Sequence, residues 1–271
     1  MTTSTSSARR LTRADFTIPA LLILFSLVPT IGGIARFMSM SGNAVVTDEN
    51  ARFVHSPTPI IIHIISATLY CILGAFQFSR GFRLRWPGLH RRAGRVLALC
   101  GLQAGATGFW MTVSYRIPAY HQGPLLYAVR IVVAAAMVAS ILVAWRSILR
   151  RDVPRHEAFM IRAYALGQGA GTQVVVLLPW MLISGQSEGL TRDLLMTLAW
   201  AINVIVAEVI IARRASSPPK RVLAQPHKVA SALRHAVEHE MDGGVLCTVT
   251  RGLQGPSQRP SRGRAANGFD P

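Results

Sequence analysis

Six long apolar stretches dominate this chain, at roughly 16–37, 58–79, 94–115, 124–145, 157–183 and 193–213, with polar connections between them. Each is close to the ~20 residues that a helix needs to cross a hydrocarbon core ~30 Å thick. Apolar residues fill each stretch instead of alternating with polar ones. A closed barrel is thereby excluded, and helices remain as the structure that satisfies every backbone group within lipid. The pattern predicts an all-α, polytopic membrane helical bundle with six transmembrane helices. Pro179 falls near the end of the fifth stretch, not at its centre, so no broken pair of helices of the transporter kind is expected. The first stretch follows a basic arm but lacks a small-residue cleavage site and continues into Ile34, Ala35, Arg36 and Phe37. It reads as a retained anchor, not a cleaved signal.

Charge sets the expected orientation. Arg9, Arg10 and Arg13 precede the first stretch. Arg80, Arg83, Arg85, Arg91, Arg92 and Arg95 cluster around the second connection, Arg146, Arg150, Arg151 and Arg155 around the fourth, and Arg213, Arg214, Lys220 and Arg221 follow the sixth stretch. The alternate connections hold only Arg36, Arg52, Arg116 and Arg192. Cytoplasmic loops collect Lys and Arg, so both termini are expected in the cytoplasm. The net charge of +17 is then mostly this bias, suited to anionic headgroups of the bilayer, and nucleic acid is not an expected partner. Cys71, Cys100 and Cys247 form no disulfide or metal-finger pattern.

The organisation follows: residues 1–15 as a disordered polar arm, 16–213 as the transmembrane domain, and 214–271 as a basic, largely disordered tail opened by Ser216, Ser217, Pro218 and Pro219. Within the tail, near 227–241, Val229, Leu233, Ala236, Val237 and Met241 recur at helical spacing. An amphipathic helix there would lie on the membrane surface or dock a protein partner. His235 to His239 fits a short zinc-protease pattern, but it lacks a folded third ligand, and no metal site is expected.

Polar groups inside apolar spans are costly and draw attention first. His63 in the second span and Arg130 in the fourth both lie about 7 Å toward the arginine-poor side of the midplane at 1.5 Å per residue, so they could share one cavity. Tyr70, Gln103, Tyr115, Tyr127, Gln173 and Asn203 are candidates for its walls or floor. Toward the other side, His90 and Arg95 open the third span, and His156 opens the fifth behind Asp152 and Pro154. Arg162 lies about a turn deeper, and Glu208 of the sixth span needs a cationic partner, with Arg162 the first candidate and Arg95 the second. Gly94, Ala98, Gly101, Gly105 and Gly108, and likewise Ala163, Gly167 and Gly171, form small-residue seams suited to close helix packing.

Four landmarks carry a family likeness: His63-Ile64, the run Gly74 to Phe78, Leu89-His90-Arg91 followed by Gly94-Arg95, and His156 with Met160 and Arg162. Over about residues 55–185 the chain resembles a bacterial family of multi-pass membrane proteins catalogued as a domain of unknown function. That resemblance implies a helical body in the bacterial cytoplasmic (inner) membrane, with no established reaction. It also implies that His63, His90, Arg95, His156 and Arg162 are the positions to test.

Three functions fit this reading. Histidines His63, His90 and His156 near the two faces suit a b-type haem or other redox role, since haem iron takes axial histidines. The His63–Arg130 pair suits a small-molecule or anion transporter or binding protein, because a guanidinium matches carboxylate and phosphate. The basic face and tail suit a non-catalytic component that recruits a partner.

Overall fold

The structure, a computed structural model, describes residues 11–40, 46–48 and 50–216. The distal part of the N-terminal arm, the amphipathic segment near 227–241, Cys247 and the rest of the basic tail lie outside the described residues. Helices α1 (Arg13–Ser39), α2 (Ala51–His55) and α3 (Pro57–Gly74) come first. A single 3-10 turn, Ala75–Phe78, and α4 (Arg80–Arg85) follow. Then come α5 (Pro87–Ser114), α6 (Pro124–Leu149), α7 (Val153–Gly167), α8 (Gly169–Ser184) and α9 (Gly189–Ser216). No strand occurs among the described residues. Proline in the first turn opens α3, α5, α6 and α7, where its missing N–H costs nothing. Asp152 caps α7 by accepting the Arg155 N–H at 3.1 Å.

Five helices are individually long and apolar enough to cross a membrane: α1, α3 with its 3-10 turn, α5, α6 and α9. Helices α7 and α8, bent by 42° at a break around Gln168, are long and apolar enough together to make a sixth if the pair counts as one span. The run 157–183, one apolar stretch in sequence, does not reveal this bend. The physical reason is tertiary. Gln168 Oε1 accepts from Ser26 Oγ at 3.0 Å, and Gln168 Nε2 donates to Tyr164 Oη at 2.8 Å. Asn203 of α9 bridges the break, donating to the Ala165 carbonyl at 2.9 Å and accepting from Thr172 Oγ1 at 2.6 Å. A Cβ on Gly169 would stand 2.0 Å from Trp200 Nε1, so only glycine admits the indole there. Backbone freed at membrane depth persists where side chains satisfy it and it lines a cavity.

Contacts sort the loops onto two ends of the bundle. At the arginine-rich end, Asp15 of α1 accepts the Gly81 N–H at 2.7 Å, Arg83 approaches Glu157 at 3.6 Å, and Arg214 also bonds Glu157. At the opposite end, Tyr115 Oη donates to the Ser56 carbonyl at 2.6 Å, and Asp193 of α9 reaches the start of α6. The chain thus alternates between the ends in the way the charge pattern predicts. The core lies midway, where Tyr70, Ile141, Ala163 and Tyr164 are buried together. Gly101 makes this packing close: a Cβ there would sit 2.7 Å from both Tyr70 Cε2 and Ile141 Cδ1. Outward, α1 exposes Leu21, Leu24, Val28 and Ile31, and α9 exposes Val204, Ile205 and Val209. That surface matches lipid, which has the same polarity as these side chains.

Asp15 is 6% exposed and uses both oxygens: Oδ2 accepts the Thr12 N–H at 2.9 Å while Oδ1 holds Gly81. A Cβ on Gly81 would stand 2.3 Å from Asp15 Cγ. Gly81→Ala should therefore push the carboxylate off its amide and lower stability by about 1–3 kcal/mol. Gly88→Ala, where a Cβ meets nothing within 4 Å, should be neutral or slightly stabilising. Thermal unfolding of the two variants in detergent checks the pair. Equal melting temperatures would remove the Asp15 latch from the account.

Candidate functional site

Inside the bundle, toward the arginine-poor end, lies a cavity of about 580 Å³ bounded by helices α1, α2, α3, α5, α6, α7, α8 and α9 and by the α5–α6 loop. His63 and Arg130 both line it, as their placement in the apolar runs predicts. So do Tyr70, Tyr115 and Gln173, whereas Gln103, Tyr127 and Asn203 are not part of its lining. Three further arginines line the same space: Arg36 from the end of α1, Arg52 from α2 and Arg192 from the first turn of α9. His121 of the α5–α6 loop is half-buried and lines the cavity as well.

The geometry fixes several of these groups. The carbonyl of Ala104 can only accept, so the 3.0 Å contact with His63 Nδ1 places a proton on that nitrogen. Thr107 Oγ1, 3.1 Å away, donates to the Gln103 carbonyl and takes part in holding the ring. Nε2 is left as the imidazole's remaining polar atom. The guanidiniums of Arg36 and Arg52 stand 4.9 and 4.5 Å from the centre of the Phe53 ring, which orients both by cation–π attraction. Arg130 donates through Nη1 to Gln122 Oε1 and is within electrostatic reach of Arg52, Arg192 and Asp193.

Asp193 is the acid next to these cations, and its oxygens are engaged elsewhere. Oδ1 accepts the Gly123 N–H at 2.9 Å and Oδ2 the Leu126 N–H at 3.1 Å, capping α6 from a distant helix. Among the described residues, Arg192 Nε and Gln173 Nε2 are buried donors with no hydrogen-bond partner. The Tyr70 hydroxyl, on a residue 2% exposed, also lacks one. Buried donors without acceptors are costly, and a ligand carrying acceptor oxygens would relieve that cost.

The other sequence candidates lie at the arginine-rich end. His156 Nδ1 is 3.0 Å from the Ala144 carbonyl, and His90 is within electrostatic reach of His156 and Arg83. Glu208 takes the partner its position requires. Arg162 Nε and Nη2 grip its two oxygens at 2.6 and 2.8 Å, and the guanidinium also stands 4.8 Å from the Phe159 ring. Arg95 is exposed. His63 packs on Ala104, while His90 lies 14 positions earlier on the same helix, so ~21 Å of helix separates them. The three histidines therefore do not converge on one site.

Sequence reading passed over Arg36, Arg52 and Arg192 because each sits near a span end, where water accounts for a charge. A signal was present nonetheless. They are three of the four basic residues on connections that otherwise avoid positive charge. The fourth, Arg116, is exposed.

Comparison with known proteins adds a family match. The family model described as predicted membrane protein, DUF2306, a domain of unknown function, covers residues 60–211. No curated protein and no solved structure matches the chain.

Proposed function

For a chain that belongs to the DUF2306 family of predicted membrane proteins, we propose a multi-pass protein that binds a small-molecule anion, a carboxylate or phosphate, as a transporter or membrane receptor. The observation that carries this reading is the meeting of Arg36, Arg52, Arg130 and Arg192 with His63 around one cavity. Guanidiniums present planar forks matched to carboxylate and phosphate, and Asp193, the acid within electrostatic reach of Arg130, is already committed to the α6 backbone. The break at Gln168 supports the same reading, because discontinuous helices at membrane depth commonly accompany ligand sites. In this proposal the arginine-rich end is cytoplasmic and rests on anionic headgroups, and the cavity opens on the far side of the membrane.

Thermal unfolding in a neutral detergent, across a panel of carboxylates and phosphates of different size, tests the site. A binder at 100 times its dissociation constant should add about 2.7 kcal/mol of stability. Arg130→Ala should remove that gain. Stabilisation that survives Arg130→Ala and Arg192→Ala together would show that the anion binds elsewhere.

A second reading has one specific observation behind it. A histidine that ligates a metal usually donates its other ring N–H to a carbonyl, as His63 does to Ala104. A b-type haem held through His63 Nε2 in the cavity would give a Soret band that moves on reduction and disappears in His63→Ala. Colourless protein made with ample haem would close this alternative.

A further inference from the structure

Charge and apolar surface are unevenly distributed along the cavity. On α3 the lining runs from Ile60 to Cys71, and on α5 from Tyr115 back to Ala104. Eleven helical steps on each wall make the cavity about 16 Å deep. Every arginine of the lining belongs to the shallow part: Arg36 at the end of α1, Arg52 on α2, Arg192 in the first turn of α9, and Arg130 two turns into α6. On α1 the lining continues from Arg36 down to Ser26, ten residues deeper. The deep walls are mainly apolar, with Ala67, Met137, Leu166 and Trp200 beside Ser26, Thr68, Tyr70 and Gln168. Gln168 bonds Ser26 and Tyr164, and the Tyr70 hydroxyl is a buried group without a hydrogen-bond partner.

A compact anion such as inorganic phosphate would occupy the cationic mouth and leave the apolar shaft below it unfilled. We propose that the ligand is an anionic amphiphile: a carboxylate or phosphate monoester head held by Arg130 and Arg192, with a single alkyl or similarly slender apolar body lying in the shaft between α3, α6 and α9. This proposal rests on the anion-binding reading above and narrows its substrate class. The head of such a ligand supplies acceptor oxygens to Arg192 Nε. Its body brings to Ala67, Met137 and Trp200 the apolar contact that water in the shaft does not give. A membrane lipid bearing that head and a free soluble amphiphile share this chemistry.

The experiment uses the full-length protein in phosphatidylcholine nanodiscs, with methyl phosphate, decyl phosphate and decanol as probes and thermal unfolding as the readout. Each methylene transferred from water to the shaft strengthens binding several-fold, so decyl phosphate should protect at a concentration at least about 100-fold below methyl phosphate. Decanol should protect weakly, and Arg130→Gln with Arg192→Gln should erase the decyl phosphate effect. Ala67→Phe, which fills the shaft without touching the mouth, should abolish the chain-length advantage while leaving methyl phosphate protection intact. Protection by methyl and decyl phosphate at equal concentration, still dependent on the arginines, would overturn the amphiphile and leave the anion site standing. Equal protection by decanol and decyl phosphate, indifferent to the arginines, would overturn both. Nanodiscs containing 20% phosphatidic acid distinguish the sources. If a bilayer lipid is the occupant, the protein is stabilised before any probe is added and decyl phosphate adds little. If the occupant is a soluble amphiphile, phosphatidic acid leaves the decyl phosphate shift unchanged.

Discussion

Asp193→Ala is expected to destabilise the protein by about 3–5 kcal/mol, the largest effect of any single polar substitution in the bundle. Asp193 is 1% exposed and accepts two backbone N–H groups from the start of α6, those of Gly123 and Leu126. These are donors that a helix N-terminus leaves without intrahelical partners, and the helix dipole adds attraction for the carboxylate. Hydrogen bonds to a charged group contribute about 1.5–3 kcal/mol each, and alanine removes both while leaving the amides buried. Against a total stability of ~5–15 kcal/mol, that is a severe loss. Asp193→Asn keeps one acceptor oxygen and should lose roughly half as much. Gly123→Ala should mimic the deletion, because a Cβ there would stand 2.4 Å from Asp193 Oδ2 and displace the carboxylate. Urea or thermal unfolding of the three variants measures the series. A change below about 1 kcal/mol for Asp193→Ala would mean that water replaces the cap and that the end of the bundle is wetter than described.

The second large effect concerns binding. Arg130→Gln combined with Arg192→Gln should weaken anion affinity by about 100- to 1000-fold, as expected when desolvated charge–charge contacts worth about 2–5 kcal/mol are truncated. Arg95→Gln and Arg162→Gln should leave affinity within about twofold, because they lie at the other end of the bundle. Arg162→Gln should instead cost stability, since its bidentate partner Glu208 loses its cation. Titration of all three variants with one anion separates the cavity from general basicity. A similar loss from the Arg95 substitution would indicate nonspecific attraction to a strongly positive protein, not a site.

The spans were legible in sequence because lipid imposes a one-dimensional rule: apolar length decides the crossing, and arginine bias decides the side. His63 and Arg130 were legible for the same reason, each a polar group within an apolar run. The break at Gln168 was not. Residues 157–183 read as one apolar stretch, and the bend depends on Ser26, Tyr164 and Asn203, which meet Gln168 and its flanking backbone only after the helices pack. Arg36, Arg52 and Arg192 escaped notice because a charge near a span end is ordinary in water, and sequence does not show that three such ends surround one space. Asp15 and Asp193 escaped for a related reason. Their partners are backbone amides 66 and 70 residues away, and backbone carries no sequence signature.

Ligand should reach the cavity from the end opposite the arginine-rich loops. Side-specific thiol labelling in intact and inverted membrane vesicles tests this, using single cysteines on a background lacking Cys71, Cys100 and Cys247. A cysteine at Thr30 on the cavity wall should react with a membrane-impermeant, negatively charged thiol reagent added from the side opposite Arg83 and Arg151, and a bound anion should slow that reaction at least about tenfold. A Thr30 cysteine that reacts only from the arginine-rich side, or at a rate no anion changes, would contradict the account.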